Sequence, residues 1–433
     1  MSGSFGRAIA RFGYSTLLRA ATPLYALRVL WRGRREPLYA SAFGERFGFY
    51  RAPAAPGALW IHAVSLGETR AASALLDALR AAVPNLRIVL THGTATGRAA
   101  GQPLLREGDM QAWLPFDTPG GVRRFLRHFR PRAGLLMETE IWPNVLAAAR
   151  ASALPVLLVN ARLSARSRRR GARVDALLRP AFESLAGALA QSDADAMRLR
   201  EAGVAEVGVV GNLKFDIAAD PALQARGRRW KEPVHRPVVL AAITREGEEA
   251  LLLAAWRALA SPRPLLVVVP RHPQRFEAVA ELVVAAGFVL ARRSQWPDGP
   301  PDEAAAADVW LGDSMMEMAA YYALADVALL GGSFLPFGGQ NLIEAAACGC
   351  PVVMGPHTFN FADAAALSLA AGASLRVETI NDAIAAALAL LAGDERARRA
   401  AAALSFAASH QGAAARSAAH IVRWLDGAGA RAA

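Results

Sequence analysis

Carboxylates placed where a strand gives way to a helix are the first residues in this chain that can do chemistry. Ser65-Leu66-Gly67-Glu68-Thr69-Arg70 follows the apolar run 59–64. Gly67 permits a tight turn, and Glu68 falls in the first turn of the next helix, where the helix dipole favours the ionised carboxylate. An ionised carboxylate facing a cleft can take a proton from an attacking hydroxyl. A plain helix-capping role explains the same residue equally well. A second acidic pair stands in Met137-Glu138-Thr139-Glu140-Ile141-Trp142-Pro143, at the end of another apolar strand. In an extended chain Glu138 and Glu140 share one side, and capping ahead of Pro143 does not need both. Lys214, in Gly211-Asn212-Leu213-Lys214-Phe215-Asp216, stands at a domain junction, from which a cation reaches an acidic substrate.

The second half carries residues suited to phosphate. Pro270-Arg271-His272-Pro273 follows an apolar strand, and an arginine there is a phosphate clamp. His272 fits a packed turn as well as a site. Gly331-Gly332-Ser333 and Gly338-Gly339-Gln340-Asn341-Leu342-Ile343-Glu344 let backbone amides approach an anion at a helix N-terminus. Glu344, one turn into that helix, is placed to hydrogen-bond two ribose hydroxyls, with an ordinary helix cap as the bland alternative. The glycine spacing is neither G-x-G-x-x-G nor a Walker loop, so dinucleotide and ATP sites lack support. Zinc and calcium ligand spacings are missing, as is a G-x-S-x-G elbow. Cys348 and Cys350 offer no disulfide framework, which suits a reducing compartment.

The elements that must position these residues follow one pattern. Apolar runs at 59–64, 86–90, 133–137, 155–160 and 187–191 alternate with helical stretches such as 68–82 and 142–151. Continuous apolar strands separated by helices make a parallel sheet covered on both faces. Glycine, proline and charge then gather at 211–237, which reads as a linker. The alternation resumes with runs at 237–243, 265–269, 309–312, 326–330 and 351–354, and with helices at 246–259, 273–286, 316–324 and 341–348. The last 50 residues are alanine-rich and helical. The fold class expected is α/β, with two doubly wound Rossmann-like domains facing across a cleft and binding one substrate each. The boundaries are an N-terminal basic segment 1–50, a first domain 51–225 and a second domain 226–433.

The balance of 49 Lys+Arg against 37 Asp+Glu, a formal charge of +12, draws the chain to phosphate, on an anionic membrane or on a substrate. With 54% hydrophobic and 20% charged residues the chain is folded. Secretory cleavage signals are missing. Residues 9–31 mix apolar side chains with Arg11, Arg19 and Arg28 and end in Arg32-Gly33-Arg34-Arg35, which reads as an interfacial anchor or marginal span with its basic end on the cytoplasmic face. The alternative is an amphipathic helix packed on its own domain.

Taken in order, several long motifs resemble the 3-deoxy-D-manno-octulosonic acid (Kdo) transferases of Gram-negative bacteria. They are Trp60-Ile61-His62-Ala63-Val64-Ser65-Leu66-Gly67-Glu68, the stretch 137–144, Val159-Asn160-Ala161-Arg162-Leu163-Ser164, the stretch 211–216, and Met354-Gly355-Pro356-His357-Thr358-Phe359-Asn360-Phe361. The resemblance runs from the basic start to about residue 376. It implies a GT-B fold, CMP-Kdo as donor, a tetra-acylated lipid A precursor (lipid IVA) as acceptor, and the cytoplasmic side of the inner membrane with its anionic lipids. It implies no metal or cofactor and no nucleic-acid partner. Carried over, Glu68 is the general base, and Glu138 and Lys214 stabilise the transition state. Pro270, Arg271, Met315, Met316, Glu317, Asn341, Leu342, Ile343 and Glu344 hold CMP. The chain departs from the family pattern at Met316, Gln340, Leu342, Ala345 and 242–245, all in the donor half. Another GT-B glycosyltransferase, a nucleotide-sugar epimerase and a non-catalytic basic membrane-binding protein are the competing readings.

Overall fold

The computed structural model describes residues 2–216 and 220–432, with side chains for 5–216 and 220–426. The chain divides into two compact units, one of Met1–Ile217 with Gln411–Ala433 and one of Ala218–His410.

The first unit is built on seven parallel strands, β1 Leu59–His62, β2 Ile88–His92, β3 Met110–Trp113, β4 Ala133–Met137, β5 Val156–Ala161, β6 Gly187–Ala190 and β7 Val207–Val209, in the order β3-β2-β1-β4-β5-β6-β7. Both faces are covered, which is why the strands read as unbroken apolar runs. Leu135 packs with Leu75, Leu76 and Leu79 of the helix Leu66–Ala82, whereas Leu136 packs with Val122, Phe125, Val145 and Leu146 on the opposite side. The second unit repeats the plan with β8 Val238–Thr244, β9 Leu265–Pro270, β10 Leu290–Arg292, β11 Val309–Leu311, β12 Val327–Leu330, β13 Val352–Met354 and β14 Ser374–Arg376, in the order β10-β11-β9-β8-β12-β13-β14. Strand order reverses between β1 and β4 and between β8 and β12, and such switch points open crevices beyond the strands' carboxyl ends. The strands β3, β7, β10 and β14 fall outside the apolar runs expected from sequence, and each is an edge strand.

Three expectations about boundaries are corrected. Residues 1–50 form no separate segment: the helix Ser2–Gly33 packs on the first unit. Tyr14 donates to Asp117, Ser15 donates to Asn144 at 3.0 Å, and Val29 joins a small core with Tyr39 and Ala95. Its other side leaves Phe5, Phe12, Leu17, Leu24, Leu27 and Trp31 more than half exposed. Among the described residues, no helix is long and apolar enough to cross a membrane.

The stretch 211–237 is not a loose linker. Leu213–Asp216 forms a 3-10 turn of the first unit, and Pro221–Lys231 is a helix of the second. Residues 217–219 of the expected linker lie outside the described residues. The chain's last helix, Ala413–Ala432, belongs to the first unit rather than to 226–433. Ala413, Ala414, Ala418 and Ile421 are buried with Leu75, Leu79 and Leu213, and Asp216 accepts the backbone N–H groups of Gly412 and Ala414, capping that helix from a distant part of the chain.

Candidate active site

At the first switch point, the chain leaves β1 and enters the helix Leu66–Ala82 through Ser65, whose hydroxyl caps the N–H of Glu68. The Glu68 carboxylate returns the contact. One oxygen accepts from the Val64 N–H at 2.7 Å and the other from the Ser65 hydroxyl at 3.0 Å. The capping role therefore exists, and it fixes the carboxylate. The helix dipole's preference for the ionised form is opposed at Glu68 by burial. Burial, then the negative charge of Glu140, outweigh the Val64 amide, and the carboxyl is pushed up to about 7. A carboxyl titrating near neutrality is matched to general-base work.

Glu138 and Glu140 follow β4, the neighbour of β1. The chain is not extended there, because Glu138 turns with φ 57°. The turn still brings the carboxylates together, since both push the Glu68 carboxyl upward. Glu140 accepts from the Trp142 indole N–H at 2.8 Å, and burial raises its own pKa. Lys214 Nζ lies 2.8 Å from Glu138 Oε1, so the lysine expected to reach a substrate is already matched to a carboxylate of this cluster. Its position is fixed by Asn160, which accepts the Leu213 N–H at 3.0 Å, and by Asn212, which accepts the Lys214 N–H at 3.0 Å. Glu68, Glu138, Glu140 and Lys214 therefore meet in one largely acidic cluster, with Lys214 paired to Glu138. Such a cluster can remove a proton and favour positive charge developing on a ring.

In the second unit, Arg271 follows β9, and its N–H bonds to the Thr244 carbonyl at 3.0 Å, beside Arg245 at the end of β8. After burial, the charges of Arg245 and Arg271 lower the pKa of His272, which marks a cationic patch at the sheet's carboxyl edge. Arg245, within the stretch 242–245 that departs from the family pattern, has its guanidinium 4.4 Å above the Phe337 ring and belongs to this patch.

The glycine loop is arranged differently from expectation. Buried Glu248 accepts the N–H groups of Gly332 at 2.7 Å, Phe334 at 3.1 Å and Arg245 at 2.9 Å. Those loop amides serve an internal anion rather than a ligand. Its only sequence signal was an acidic residue in a helix's first turn. Asn360 holds the far side by donating to the Phe337 carbonyl at 2.9 Å. Asn341, one residue ahead of the N-cap Leu342, accepts the Ile343 N–H at 3.1 Å where the helix Ile343–Ala347 begins. Leu342 and Ile343 bury their side chains, so only their backbones can meet a ligand. Glu344 is half-buried, and its charge adds to the burial that raises the pKa values of Tyr322 and Cys348. Met315 and Met316 are exposed, the latter with φ 68°. Glu317 is held by Arg226 at 2.8 Å and Arg293 at 2.9 Å, which commits its carboxylate to the unit's own structure.

The model of the family described as 3-deoxy-D-manno-octulosonic-acid transferase (kdotransferase) matches residues 41–217. A 3-deoxy-D-manno-octulosonic acid transferase of Bordetella pertussis is 48% identical, over 95% of this chain and 99% of its own length. That of Haemophilus influenzae is 34% identical, over 90% and 92%. This chain belongs to the 3-deoxy-D-manno-octulosonic acid (Kdo) transferase family. Among solved structures, a glycosyltransferase of Rickettsia africae superposes with a TM-score of 0.56 at 13% identity, covering 85% of this chain and 98% of that one. That likeness concerns fold alone and agrees with a pair of parallel-sheet α/β domains of GT-B type. Within the Kdo transferase family model lie Glu68, Glu138 and Lys214, while Arg245, Arg271 and the glycine loop lie beyond it.

Proposed function

We propose that this protein transfers Kdo from CMP-Kdo to a tetra-acylated lipid A precursor, lipid IVA, at the cytoplasmic side of the inner membrane, as a step in lipopolysaccharide synthesis. One observation carries the reading: in a chain of the Kdo transferase family, Glu68 is a fixed carboxyl pushed up to about 7 beside Glu138 and Glu140. The donor's anomeric carbon bears a carboxylate and a phosphate leaving group. As the C–O bond to CMP breaks, positive charge grows on the sugar ring and negative charge on the departing phosphate. Glu68 takes the proton of the acceptor's primary hydroxyl, whose oxygen forms the new bond. Glu138, balanced by Lys214, favours the cationic ring. Arg271 and the backbone around Asn341 hold the phosphate as its charge grows. Attack from the face opposite CMP inverts the anomeric centre in a single displacement.

Residence at the membrane rests on the exposed apolar row of the helix Ser2–Gly33 beside Arg28, Arg32, Arg34 and Arg35, a combination suited to an anionic lipid surface. Mass spectrometry of the lipid after incubation with CMP-Kdo and lipid IVA tests the reaction. The expected product carries added Kdo. Glu68→Gln should lower transfer by roughly two to four orders of magnitude while keeping CMP affinity. Unmodified lipid with the wild-type protein sinks the reading, and near-normal turnover by Glu68→Gln removes the base.

A further inference from the structure

Within the first unit, a cavity of about 540 Å3 opens between the helix Ser2–Gly33 and the carboxyl ends of β1, β2 and β3. Most of its wall is apolar, with Leu18, Tyr25, Val29 and Phe116 prominent. Set into that wall is Arg46, only 3% exposed. Its Nε and Nη2 are buried without an acceptor. The guanidinium rests on aromatic faces instead, 3.9 Å from the Trp113 ring centre and 5.8 Å from that of Tyr39. The carboxylates nearby are engaged elsewhere. Glu45 accepts from Arg98 at 3.0 Å and from the Trp113 N–H at 2.8 Å. Asp117, which also lines the cavity, accepts from Tyr14 and from the N–H groups of Asn144 and Val145. Arg28 and Arg32 line the same space, so its charge is positive.

A buried guanidinium without an acceptor is costly, and burial lowers its pKa to about 10, which still leaves it charged at neutral pH. Contact with the Trp113 and Tyr39 rings offsets part of that cost but supplies no hydrogen-bond acceptor. An anion entering the cavity would supply the missing acceptor, and the planar fork of an arginine is shaped for a phosphate. His62 also lines the cavity, as a neutral ring whose Nδ1 lies 2.9 Å from Thr91 Oγ1 and 3.2 Å from the Thr91 carbonyl. The cavity also abuts the proposed base. Val64 lines it, and the Val64 N–H holds the Glu68 carboxylate.

We propose that this cavity binds a phosphate group of the lipid acceptor, with Arg46 as its main ligand and the apolar wall receiving the adjoining acyl portion. The inference rests on the acceptor reading given above. It assigns the phosphate to the sugar that carries the attacking hydroxyl, because a group held beside Val64 lies next to Glu68. A membrane phospholipid offers the same phosphate chemistry, and the experiment separates the two.

The test is calorimetric titration of the full-length protein in detergent with lipid IVA and with the same lipid lacking that one phosphate. Arg46→Gln should weaken binding of lipid IVA roughly tenfold to a hundredfold, the loss expected when a charged hydrogen bond is removed. Arg46→Lys should restore part of it. Affinity for the dephosphorylated lipid should be weak and insensitive to the substitution. An equal loss on both lipids would make Arg46 a packing residue and overturn the inference. So would equal affinity of the wild-type protein for the two lipids, a comparison that stands even where a variant fails to fold. Displacement of lipid IVA by phosphatidylglycerol at matched concentration would reassign the cavity to membrane lipid. If the wild-type protein transfers Kdo to lipid IVA but shows no phosphate-dependent effect at Arg46, only the inference falls. If it neither binds nor glycosylates that lipid, the proposed function falls.

Discussion

Glu68 shows how a single side chain can look legible and still be misread. Its position after a strand, at the start of a helix, was visible in Ser65–Glu68. Its protonation was not, because that depends first on burial and then on the charge of Glu140, which lies about seventy residues further on and is brought near by the pairing of β1 with β4. The rise from 4.5 to about 7 sets two pH dependences. As a base, Glu68 must be ionised, so kcat/KM should climb with pH through about 7, and Glu140→Gln should shift that limb to lower pH by removing the charge that raises it. An unshifted profile in that variant would separate Glu140 from the base. For stability, the native state binds the proton more tightly than the unfolded chain. The contribution is therefore full below about 4.5 and lost as pH rises through about 7. Thermal unfolding of Glu68→Gln should accordingly gain on the wild type between pH 5 and 8. A difference that stays flat across that range would contradict the buried-carboxyl account.

At the scale of elements, the strands recognised in the sequence were the central ones. β1, β4, β5, β8, β9 and β12 are buried on both faces and are apolar but for polar residues near their carboxyl ends, His62, Asn160 and Thr244. The edges β7, β10 and β14 have three residues each and are only partly buried, and β3 begins with half-buried Met110 and Gln111. Nothing in such stretches demands a continuous apolar run, so sequence alone passes over them. Caps built across the chain are equally hidden. Asp216 supplies two acceptors to a helix that starts nearly two hundred residues later. Asp216→Ala should cost about 0.5–2 kcal/mol, as loss of a helix cap does, and loosen the turn that carries Lys214. Chemical denaturation measures it, and an unchanged midpoint would show that water replaces the cap. Gly331 makes a similar point in the second unit. A Cβ there would meet the Ile243 carbonyl, so Gly331→Ala should destabilise by about 1–3 kcal/mol and disturb the loop held by Glu248.

On the scale of the whole molecule, the division of the chain is not the order of the sequence. Ala413–Ala432 completes the core of the first unit, covering Leu75, Leu79 and Leu213. A chain ending at His410 should therefore expose the first unit to proteolysis while the second keeps its resistance. Cleavage spread equally over both units would contradict that dependence. The apolar outer row of the helix Ser2–Gly33 makes a separate prediction. Phe12→Ser, Leu24→Ser and Trp31→Ser, all at exposed positions, should leave the unfolding midpoint near wild type but abolish sedimentation with anionic vesicles. Retained sedimentation would place the membrane contact elsewhere.

By itself, the sequence determined the class of fold, the Kdo transferase family and the types of residue at the strand ends. Each of these is written locally, in apolar runs, turn glycines and contiguous motifs. Tertiary structure alone decided the protonation of Glu68, the pairing of Lys214 with Glu138, the commitment of the Gly332 and Phe334 amides to Glu248, and the isolation of Arg46. Those properties depend on desolvation and on partners distant in the chain, and a carboxylate or guanidinium acquires its energetic character from what surrounds it rather than from its neighbours in sequence.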